Sequence, residues 1–380
     1  MVAMSRDPCI AVFISSFVDG GVERMLLNLS RGLADLGHRV DFVLGKADAR
    51  YLSLLPSQGR MVDLGTSHPL KILPPLSRYL RRERPAIMLS SKDPCNRAAL
   101  RGRRLAGVST RLFFRVATTP SARDHHRNVL RRWRSRHAMR TLYPKADGLI
   151  AVSRGVAADV STIAGIHGEQ IHVILNPVVT PELPILAASR ADHPWYQDPC
   201  TPIIMGIGRF THQKDFPTLI RAFARVRSRL PCRLLILGRG RQRTKVESLA
   251  EALGVRGDLS LPGFAVNPYA YMAKASLLVL SSAWEGSPNV LVEALAVGTP
   301  VVATDCRSGP REILQDGRYG PLVPVGDAEA MAAAIVRTLD APLPAETLKA
   351  AAEPYRLHLS CRRYLKAFGM EAGQAMDDRG

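Results

Sequence analysis

The 380-residue sequence lacks the marks of several protein classes. Its six cysteines are scattered, with no CxxC pair and no metal-site spacing, which indicates free thiols in a reducing compartment. No stretch approaches the roughly 18 apolar residues that span a bilayer. The apolar run at 10–18 is preceded by Arg6 and Asp7 and followed by Gly20-Gly21, without a small-residue cleavage site. We therefore expect a buried first strand that stays in the protein, not a signal peptide.

Acidic residues are scarce in one part of the chain. Between Lys71 and Lys145 there are 20 lysines or arginines against three acids, which leaves +17 of the +19 that the whole chain carries. Such a segment predicts a polyanionic neighbour, whether nucleic acid, anionic lipid headgroups or an acidic substrate. The remaining composition, with 46% hydrophobic and 22% charged residues, indicates a globular chain long enough for two domains.

Short apolar segments alternate with helical patterns along the chain. In the first half, strands are predicted at 10–17, 40–44, 61–64, 87–90, 112–115, 149–152 and 172–175. In the second half, they are predicted at 203–206, 233–237, 259–261, 277–280, 301–303 and 322–323, with helices at 218–229, 245–253, 289–297 and 328–339. The alternation predicts an α/β protein with parallel sheets covered on both faces.

Six prolines between 176 and 202 interrupt this alternation and predict an interdomain linker. We therefore expect a Rossmann-like N-terminal domain over 1–176, a linker over 177–200 and a second Rossmann-like domain over 201–350. Residues 351–380 are expected to form a C-terminal helix and tail. The amphipathic segment 355–368 is expected to pack back toward the N-terminal domain, and the tail after Gly369 to be disordered.

The loop after the strand at 203–206 carries two cations, Arg209 and Lys214, before a helix. Ligands of open α/β sheets bind beyond the carboxyl ends of the strands, and two cations beside a helix N-terminus suit two linked phosphates. The alternative interpretation is a surface loop with solvated cations.

The loop after the strand at 277–280 carries two acids, Glu285 and Glu293, around a glycine-containing helix entrance. Pro288 fits the first turn of the helix. The two carboxylates could each bind sugar hydroxyls. The alternative for Glu293 is an exposed helix acid, which its apolar neighbours disfavour because an unpaired buried acid is costly.

Together these segments resemble the retaining GT-B glycosyltransferases of family 4, also called group 1. The mark of that family is a Glu, seven residues and a Glu in the setting E-G-x-P-x-x-x-x-E-A, and residues 285–294 have this form. The Gly-Arg…Lys pattern of 208–214 is also similar. Further matches are Gly20-Gly21-Val22-Glu23, Asn176-Pro177 and the segment 298–303. The resemblance covers nearly the whole chain and is densest over 206–314.

The resemblance implies a GT-B fold, in which two Rossmann-like domains face each other across a cleft, and a UDP- or GDP-sugar donor. Arg209 and Lys214 would neutralise the donor diphosphate, so neither a metal nor another cofactor is expected. Glu293 would bind ribose hydroxyls, and Glu285 would bind hydroxyls of the transferred sugar. The other implied donor-binding residues are Gly20, Gly21, Gly208, Phe264, Gly286, Ser287, Asn289 and Val290.

Retention of configuration in such families implies front-face attack, so no Asp or Glu is nominated as a nucleophile. Many relatives carry a His in the loop after the strand near 115, but residues 115–121 contain none. His125 and His126 are interpreted as surface residues at a helix start. Gly238-Arg239-Gly240 has no third glycine at the spacing of a dinucleotide motif.

A predicted helix over 126–143 places Leu130, Trp133, His137 and Thr141 near one stripe, surrounded by arginines. A basic helix with a tryptophan predicts contact with anionic lipid. The residues assigned to that contact are Arg131, Arg132, Trp133, Arg134 and Arg136. The alternative is a packed helix with a solvated arginine face. Nucleic-acid binding is disfavoured, because no stacking platform or recognition helix pair is present.

The main functional hypothesis is a transferase that adds a hexose or N-acetylhexosamine to a glycan or lipid-linked glycan. Its setting would be lipopolysaccharide, capsule or exopolysaccharide assembly, in the cytoplasm or on the inner face of the plasma membrane. One alternative is a sugar-nucleotide epimerase or phosphorylase of the same architecture. An epimerase would convert the donor without a glycan acceptor. The other alternative is a non-catalytic protein that binds membranes or nucleic acid through its basic surface.

Overall fold

The computed structural model describes residues 8–15, 20–46, 59–125, 128–198 and 200–370. The chain divides into two compact units. The first comprises Met1–Pro177 and Leu357–Gly380, and the second comprises Val178–Arg356. None of the helices in the described ranges combines the length and the apolar composition that crossing a bilayer requires.

The strands begin and end within a few residues of their predicted bounds. In chain order they are β1 (Ile10–Ile14), β2 (Val40–Leu44), β3 (Gly59–Asp63), β4 (Ile87–Ser91), β5 (Arg111–Val116), β6 (Gly148–Ala151), β7 (Ile171–Val173), β8 (Ile203–Ile207), β9 (Arg233–Leu237), β10 (Leu259–Gly263), β11 (Leu277–Leu280), β12 (Val301–Thr304) and β13 (Leu322–Val323). The first strand was expected to continue to Phe17, which lies outside the described residues.

The helices follow the strands in the expected alternation. In chain order they are α1 (Gly21–Asp35), α2 (Leu73–Glu83), α3 (Asp93–Ala106), α4 (Pro120–His125), α5 (Val129–Leu142), α6 (Arg154–Ala164), α7 (Leu183–Ala188), α8 (Phe216–Arg227), α9 (Arg243–Ala252), α10 (Tyr269–Lys274), α11 (Asn289–Ala296), α12 (Pro310–Ile313), α13 (Ala328–Asp340), α14 (Ala345–Ala352) and α15 (Leu357–Phe368). The start of the predicted basic helix at His126 and the tail from 371 onward lie outside the described residues.

Each unit is built on one parallel sheet. The first sheet has the order β3-β2-β1-β4-β5-β6-β7, and the second has the order β10-β9-β8-β11-β12-β13. Strands β1, β2 and β4 are buried along their whole length, as apolar parallel strands covered by helices should be. Strand order reverses between β1 and β4 in the first unit and between β8 and β11 in the second. Ligands of such sheets bind at the carboxyl ends of the strands at that reversal.

The C-terminal helix α15 is part of the first unit. The Phe368 ring lies 4.8 Å from the Phe113 ring, centroid to centroid, and Arg111 Nη1 donates to the Phe368 carbonyl at 2.6 Å. Ser360 Oγ donates to the Leu175 carbonyl at 2.9 Å. The core of this unit therefore contains side chains from both ends of the described chain.

Residues that were expected to form a linker belong to the second unit instead. The unit boundary lies between Pro177 and Val178, and the chain returns to the first unit after Arg356 rather than near 350. The Val178 and Val179 amides both donate to the Tyr355 carbonyl at 3.1 Å. Two of the prolines do not mark an extended linker, because they open the helix α7 and a 3-10 helix at Pro194–Gln197, where a missing amide costs little.

Candidate active site

The candidate site lies in the second unit, where the sheet order reverses. The strands β8 and β11 are adjacent, and the loops that follow them are joined by hydrogen bonds. The Ala283 amide donates to the Gln213 carbonyl at 2.8 Å, and Ser281 Oγ donates to the Lys214 carbonyl at 2.7 Å. Loops that are about 70 residues apart in the sequence are therefore held as one surface.

Lys214 and Glu285 form an ion pair across these loops. Lys214 Nζ donates to Glu285 Oε1 at 2.6 Å, and the two side chains are only 17% and 8% exposed. Ser282 Oγ donates to the same Oε1 at 2.7 Å, and Gln213 Nε2 approaches Oε2 at 3.5 Å while donating to the Trp284 carbonyl at 3.0 Å. Sequence reasoning missed Ser282 and Gln213, although both stand within three residues of a nominated residue.

Three glycines allow the β8 loop to pack against the loop that follows β9. Gly208, Gly238 and Gly240 have φ values of 155°, 146° and 156°. A Cβ on Gly238 would lie 1.9 Å from the Gly208 carbonyl oxygen, and one on Gly240 would lie 2.6 Å from the Phe210 nitrogen. The Gly-x-Gly that does not fit a dinucleotide motif therefore serves close packing of two backbones beside the candidate site.

Glu293 lies on α11, which begins directly after the Glu285 loop. The Glu293 residue is only 5% exposed, so the interpretation as an exposed helix acid is wrong. Pro288 was expected in the first turn of this helix, but it is the N-cap, with an extended ψ of 103°. The first turn of an α-helix directs its amides toward the N-terminal end, which makes this end, with Asn289 and Val290, suited to an anion.

Arg209 follows β8 in the same loop as Lys214, and Phe264 follows β10, which is separated from β8 by β9 in the second sheet. Arg209 is exposed, and Phe264 is partly buried after β10. The Arg239 guanidinium lies 5.9 Å from the centroid of the Phe264 ring. This cation–π pair was not foreseen, and it joins the Gly-x-Gly loop to the loop after β10.

The loop after β12 completes the surroundings of Glu285. Gly309 has a φ of 88°, and a Cβ there would lie 2.7 Å from Pro288 Cδ and 3.0 Å from the Gly286 carbonyl oxygen. Thr304 Oγ1 donates to the Ser282 carbonyl at 2.6 Å. Burial, and secondly the nearby Glu285 carboxylate, raise the pKa of the Cys306 thiol to about 12. Ser287 is partly buried in the same loop that these contacts support.

The reversal point of the first sheet carries a second polar cluster. Gly20 is the N-cap of α1 and has a φ of −163°, which any residue can adopt. The backbone conformation therefore does not require glycine there, and only close approach of a ligand would. Glu23 in the first turn of α1 is buried and accepts from Lys92 Nζ at 2.5 Å. Lys92 holds a left-handed φ of 78° at the end of β4. The Gly20-Gly21 pair therefore stands at the reversal point of its own sheet, and the ion pair of Glu23 with Lys92 was not foreseen from the sequence.

Arg115 lies near the end of β5, just before the loop in which many relatives carry a His. Its side chain is fully buried, and it donates to Asn176 Oδ1 at 2.6 Å and Ser91 Oγ at 3.2 Å. Burial lowers the pKa of this guanidinium. The cation ties Asn176 of the Asn-Pro match to β4. His126 lies outside the described residues, and His125 is the last residue of α4.

The residues predicted to meet a membrane lie on α5, but they do not share one direction. Arg131, Trp133 and Arg134 are exposed, and Arg132 is partly exposed. Arg136 belongs elsewhere, because its Nε lies 3.8 Å from the buried Asp124 carboxylate. Among the described residues no cluster of three or more His, Cys, Asp or Glu is placed to hold a metal.

Comparison with known proteins identifies the family. The profile described as "Glycosyl transferases group 1" matches residues 201–341, and the profile described as "Glycosyltransferase Family 4" matches residues 19–181. The chain belongs to the group 1 glycosyltransferase family. The Lys214–Glu285 pair lies within the first match, and Gly20, Lys92 and Arg115 lie within the second.

Two curated relatives are bacterial glycosyltransferases. N-acetylgalactosamine-N,N'-diacetylbacillosaminyl-diphospho-undecaprenol 4-alpha-N-acetylgalactosaminyltransferase of Campylobacter jejuni is 32% identical over 228 residues, 60% of this chain and 60% of that enzyme. The lipopolysaccharide core biosynthesis glycosyltransferase LpsE of Rhizobium meliloti is 29% identical over 331 residues, 83% of this chain and 85% of that enzyme. The aligned region thus spans less than two thirds of the first relative's length.

The fold of this glycosyltransferase is GT-B. The crystal structure of Anabaena HepE in complex with UDP superposes with a TM-score of 0.75 and 17% identity, covering 96% of this chain and 100% of that one. At this identity the likeness establishes the two-unit α/β architecture.

Proposed function

We propose that this protein transfers a sugar from a nucleotide-sugar donor to a glycan or lipid-linked glycan during the assembly of a surface glycan. The observation that carries the proposal is the buried Lys214–Glu285 pair at the reversal point of the second sheet. The names of the two relatives support the setting, since one acts on a diphospho-undecaprenol-linked sugar and the other in lipopolysaccharide core biosynthesis.

The donor diphosphate is assigned to the entrance of α11 and the β8 loop. Lys214 and the exposed Arg209 supply positive charge, and the first-turn amides of α11 supply hydrogen-bond donors. Charge that develops on the departing diphosphate is stabilised by groups already fixed before reaction. The first-turn amides include those of Asn289 and Val290, and the amides of Gly286 and Ser287 in the preceding loop are assigned to the same diphosphate. The chemistry as proposed uses no metal or other cofactor.

The transferred sugar is assigned to Glu285 and the nucleoside to Glu293 and Phe264. Lys214 and Ser282 both donate to Oε1 of Glu285, so the second carboxylate oxygen can accept a sugar hydroxyl while both contacts are retained. The nucleoside is that of a UDP- or GDP-sugar, with ribose hydroxyls at Glu293 and the base beside the Phe264–Arg239 pair. HepE was crystallised with UDP in the same fold, which favours testing uridine nucleotides first.

The reaction is proposed to retain the anomeric configuration. The bond between the anomeric carbon and the donor oxygen breaks, and its electron pair stays on the diphosphate. The acceptor hydroxyl oxygen forms the new bond on the same face, and its proton passes to the leaving phosphate.

Approach of Gly20 and Gly21 to that diphosphate remains a prediction of the family resemblance. We propose that the reaction takes place in the cytoplasm or on the inner face of the plasma membrane.

A donor panel tests this function. Calorimetric titration with UDP- and GDP-sugars of hexoses and N-acetylhexosamines, in the presence of a chelator, should give saturable binding for one nucleotide class. With that donor, turnover should require a glycan or lipid-linked glycan and give a product with the donor's anomeric configuration. Conversion of the donor without any acceptor would support an epimerase instead, and absence of binding to the entire panel would refute the assignment of the site.

A further inference from the structure

Near its start, helix α5 of the first unit turns its apolar side chains away from the protein. Val129, Leu130 and Trp133 are 83%, 62% and 62% exposed, whereas its buried residues are Ser135 and Met139. A helix on a globular protein normally packs its apolar stripe inward. Arg131 and Arg134 are exposed here, as the alternative of a packed helix with a solvated arginine face expects, but the exposed apolar residues are not part of that alternative.

The exposed apolar residues share one side of the helix. At 100° per residue, Leu130, Trp133 and His137 fall within about 60° of one another. The rings of Trp133 and His137 are stacked, with centroids 5.3 Å apart and planes at 12°. Arg131 and Arg134 are exposed on the flank of this stripe. The result is an apolar ridge with cations beside it.

Other arginines of α5 fix the helix to the unit rather than face outward. Arg140 Nε donates to the Ile163 carbonyl at 3.0 Å, and Arg136 Nε lies 3.8 Å from Asp124. The Asn128 side chain accepts from the Arg131 amide at 2.9 Å and caps the helix. The ridge is therefore held on an anchored and capped helix, which makes its exposure a property of the folded unit.

We propose that Val129, Leu130, Arg131, Trp133 and Arg134, here called the α5 ridge, dock on an anionic phospholipid bilayer. Apolar and aromatic side chains of such a helix enter the boundary between headgroups and acyl chains, while arginines contact lipid phosphates. The charge fits this partner, since the surrounding segment from Lys71 to Lys145 carries +17. This surface lies in the first unit, and its argument does not depend on the donor site of the proposed function.

The direct test is co-sedimentation of the full chain with vesicles. Vesicles of phosphatidylglycerol and phosphatidylethanolamine should bind the protein, and phosphatidylcholine vesicles should bind it at least tenfold more weakly. Binding should fall as salt rises from low ionic strength, because surface charges are screened beyond a Debye length. Tryptophan emission should shift to shorter wavelength on binding in the wild type and fail to shift in Trp133→Phe.

Two paired variants separate the parts of the ridge. Leu130→Ser with Trp133→Ser removes the apolar part, and Arg131→Gln with Arg134→Gln removes the charge. Each arginine near an anionic surface strengthens binding about fivefold, so the second pair should lose about thirtyfold. The matched controls lie on α3, where Leu105 is 55% exposed and Arg101 and Arg104 are exposed. Leu105→Ser and the pair Arg101→Gln with Arg104→Gln should lose less than threefold.

Several outcomes would overturn the proposal. They are equal binding to neutral vesicles, equal losses in the α3 controls, a self-association that Trp133→Ser abolishes while vesicle binding stays, and tight salt-sensitive binding to RNA with none to vesicles. Thermal unfolding followed by circular dichroism reports whether each variant is folded. Nucleotide titration of the wild type separates the two proposals, because a protein that binds vesicles through α5 but no nucleotide would refute the proposed function alone.

Discussion

Lys214 Nζ and Glu285 Oε1 lie 2.6 Å apart, so the cation assigned to the diphosphate and the acid assigned to the sugar form one electrostatic unit. Substitutions of two residues in such contact are not additive. The pair is also mostly shielded from solvent, which strengthens its coupling relative to a surface ion pair. Variants of either residue therefore require a control outside the pair.

Removing the cation should weaken nucleotide binding. We expect Lys214→Ala to lower the affinity for a nucleoside diphosphate by about 1.5–3 kcal/mol, the range for a hydrogen bond to a charged group. Calorimetry in the presence of a chelator measures this loss. Lys274→Ala, at the exposed end of α10 in the same unit, should bind like the wild type. Equal affinities in the wild type and Lys214→Ala would contradict the diphosphate assignment.

Neutralising the acid should affect turnover more than nucleotide binding. In Glu285→Gln the shape is kept and a negative charge next to the diphosphate is lost, so free nucleotide should bind at least as tightly. Transfer should slow by about ten- to a hundredfold, because the amide forms weaker hydrogen bonds to sugar hydroxyls. Kinetics with saturating donor measure the change.

Glu293→Gln provides the contrast to that variant. Its assigned contact is the ribose, so we expect weaker nucleotide binding together with a higher KM for the donor. Should Glu285→Gln lose nucleotide affinity while Glu293→Gln keeps it, the two roles would have to be exchanged. Titration of both variants with the free nucleoside diphosphate and with the intact donor distinguishes the patterns.

A methyl group on the Gly-x-Gly loop should destabilise the second unit. Gly238→Ala places a Cβ within 1.9 Å of the Gly208 carbonyl oxygen at a φ of 146°, so the two loops must separate. We expect a loss of at least about 2 kcal/mol in the free energy of unfolding. Gly257→Ala is the control, since a Cβ at that position would meet no atom of the described residues within 4 Å. Urea unfolding curves of the two variants should differ clearly, and identical midpoints would be inconsistent with this packing.

Cys306 should stay protonated and unreactive in the folded protein. Its pKa of about 12 means that the thiolate is rare at pH 8, whereas exposed Cys200 is accessible to reagent. Iodoacetamide followed by peptide mass spectrometry should modify Cys200 and leave Cys306 intact until the protein unfolds. In the unfolded chain a cysteine ionises near pH 8.5, so this thiol's contribution to stability is present below that pH and declines toward pH 12. Rapid alkylation of native Cys306 would argue against its burial.

The sequence pattern could predict the sheets because parallel strands covered on both faces must be apolar throughout, as Ile10–Ile14 and Leu277–Leu280 are. It also indicated Lys214 and Glu285, which stand at loop positions that the fold uses for ligands. It could not predict that Ser282 and Lys214 share one oxygen of Glu285, since such contacts depend on side-chain geometry. Composition likewise could not show that Arg136 turns inward to Asp124 while Arg134 stays exposed.

The prolines after Pro177 show a related limit. Proline is equally consistent with an extended linker and with the first residue of a helix, and the local sequence does not distinguish the two. The conformation of these residues is decided by hydrogen bonds to residues far away in the sequence. Leu186 receives a hydrogen bond from Asn267, 81 residues away, and Val178 donates to Tyr355. Contacts of such separation are set by tertiary structure and leave no local signal.

The position of α15 in the first unit has a consequence for synthesis on the ribosome. Arg111 donates to the carbonyl of Phe368, 257 residues later, and the first core is completed by Cys361, Tyr364, Leu365 and Phe368. All of the second unit leaves the exit tunnel before these residues do. The second unit can therefore close its core first, while the unit that is begun first must wait, with Phe113 still uncovered, until α15 has been translated.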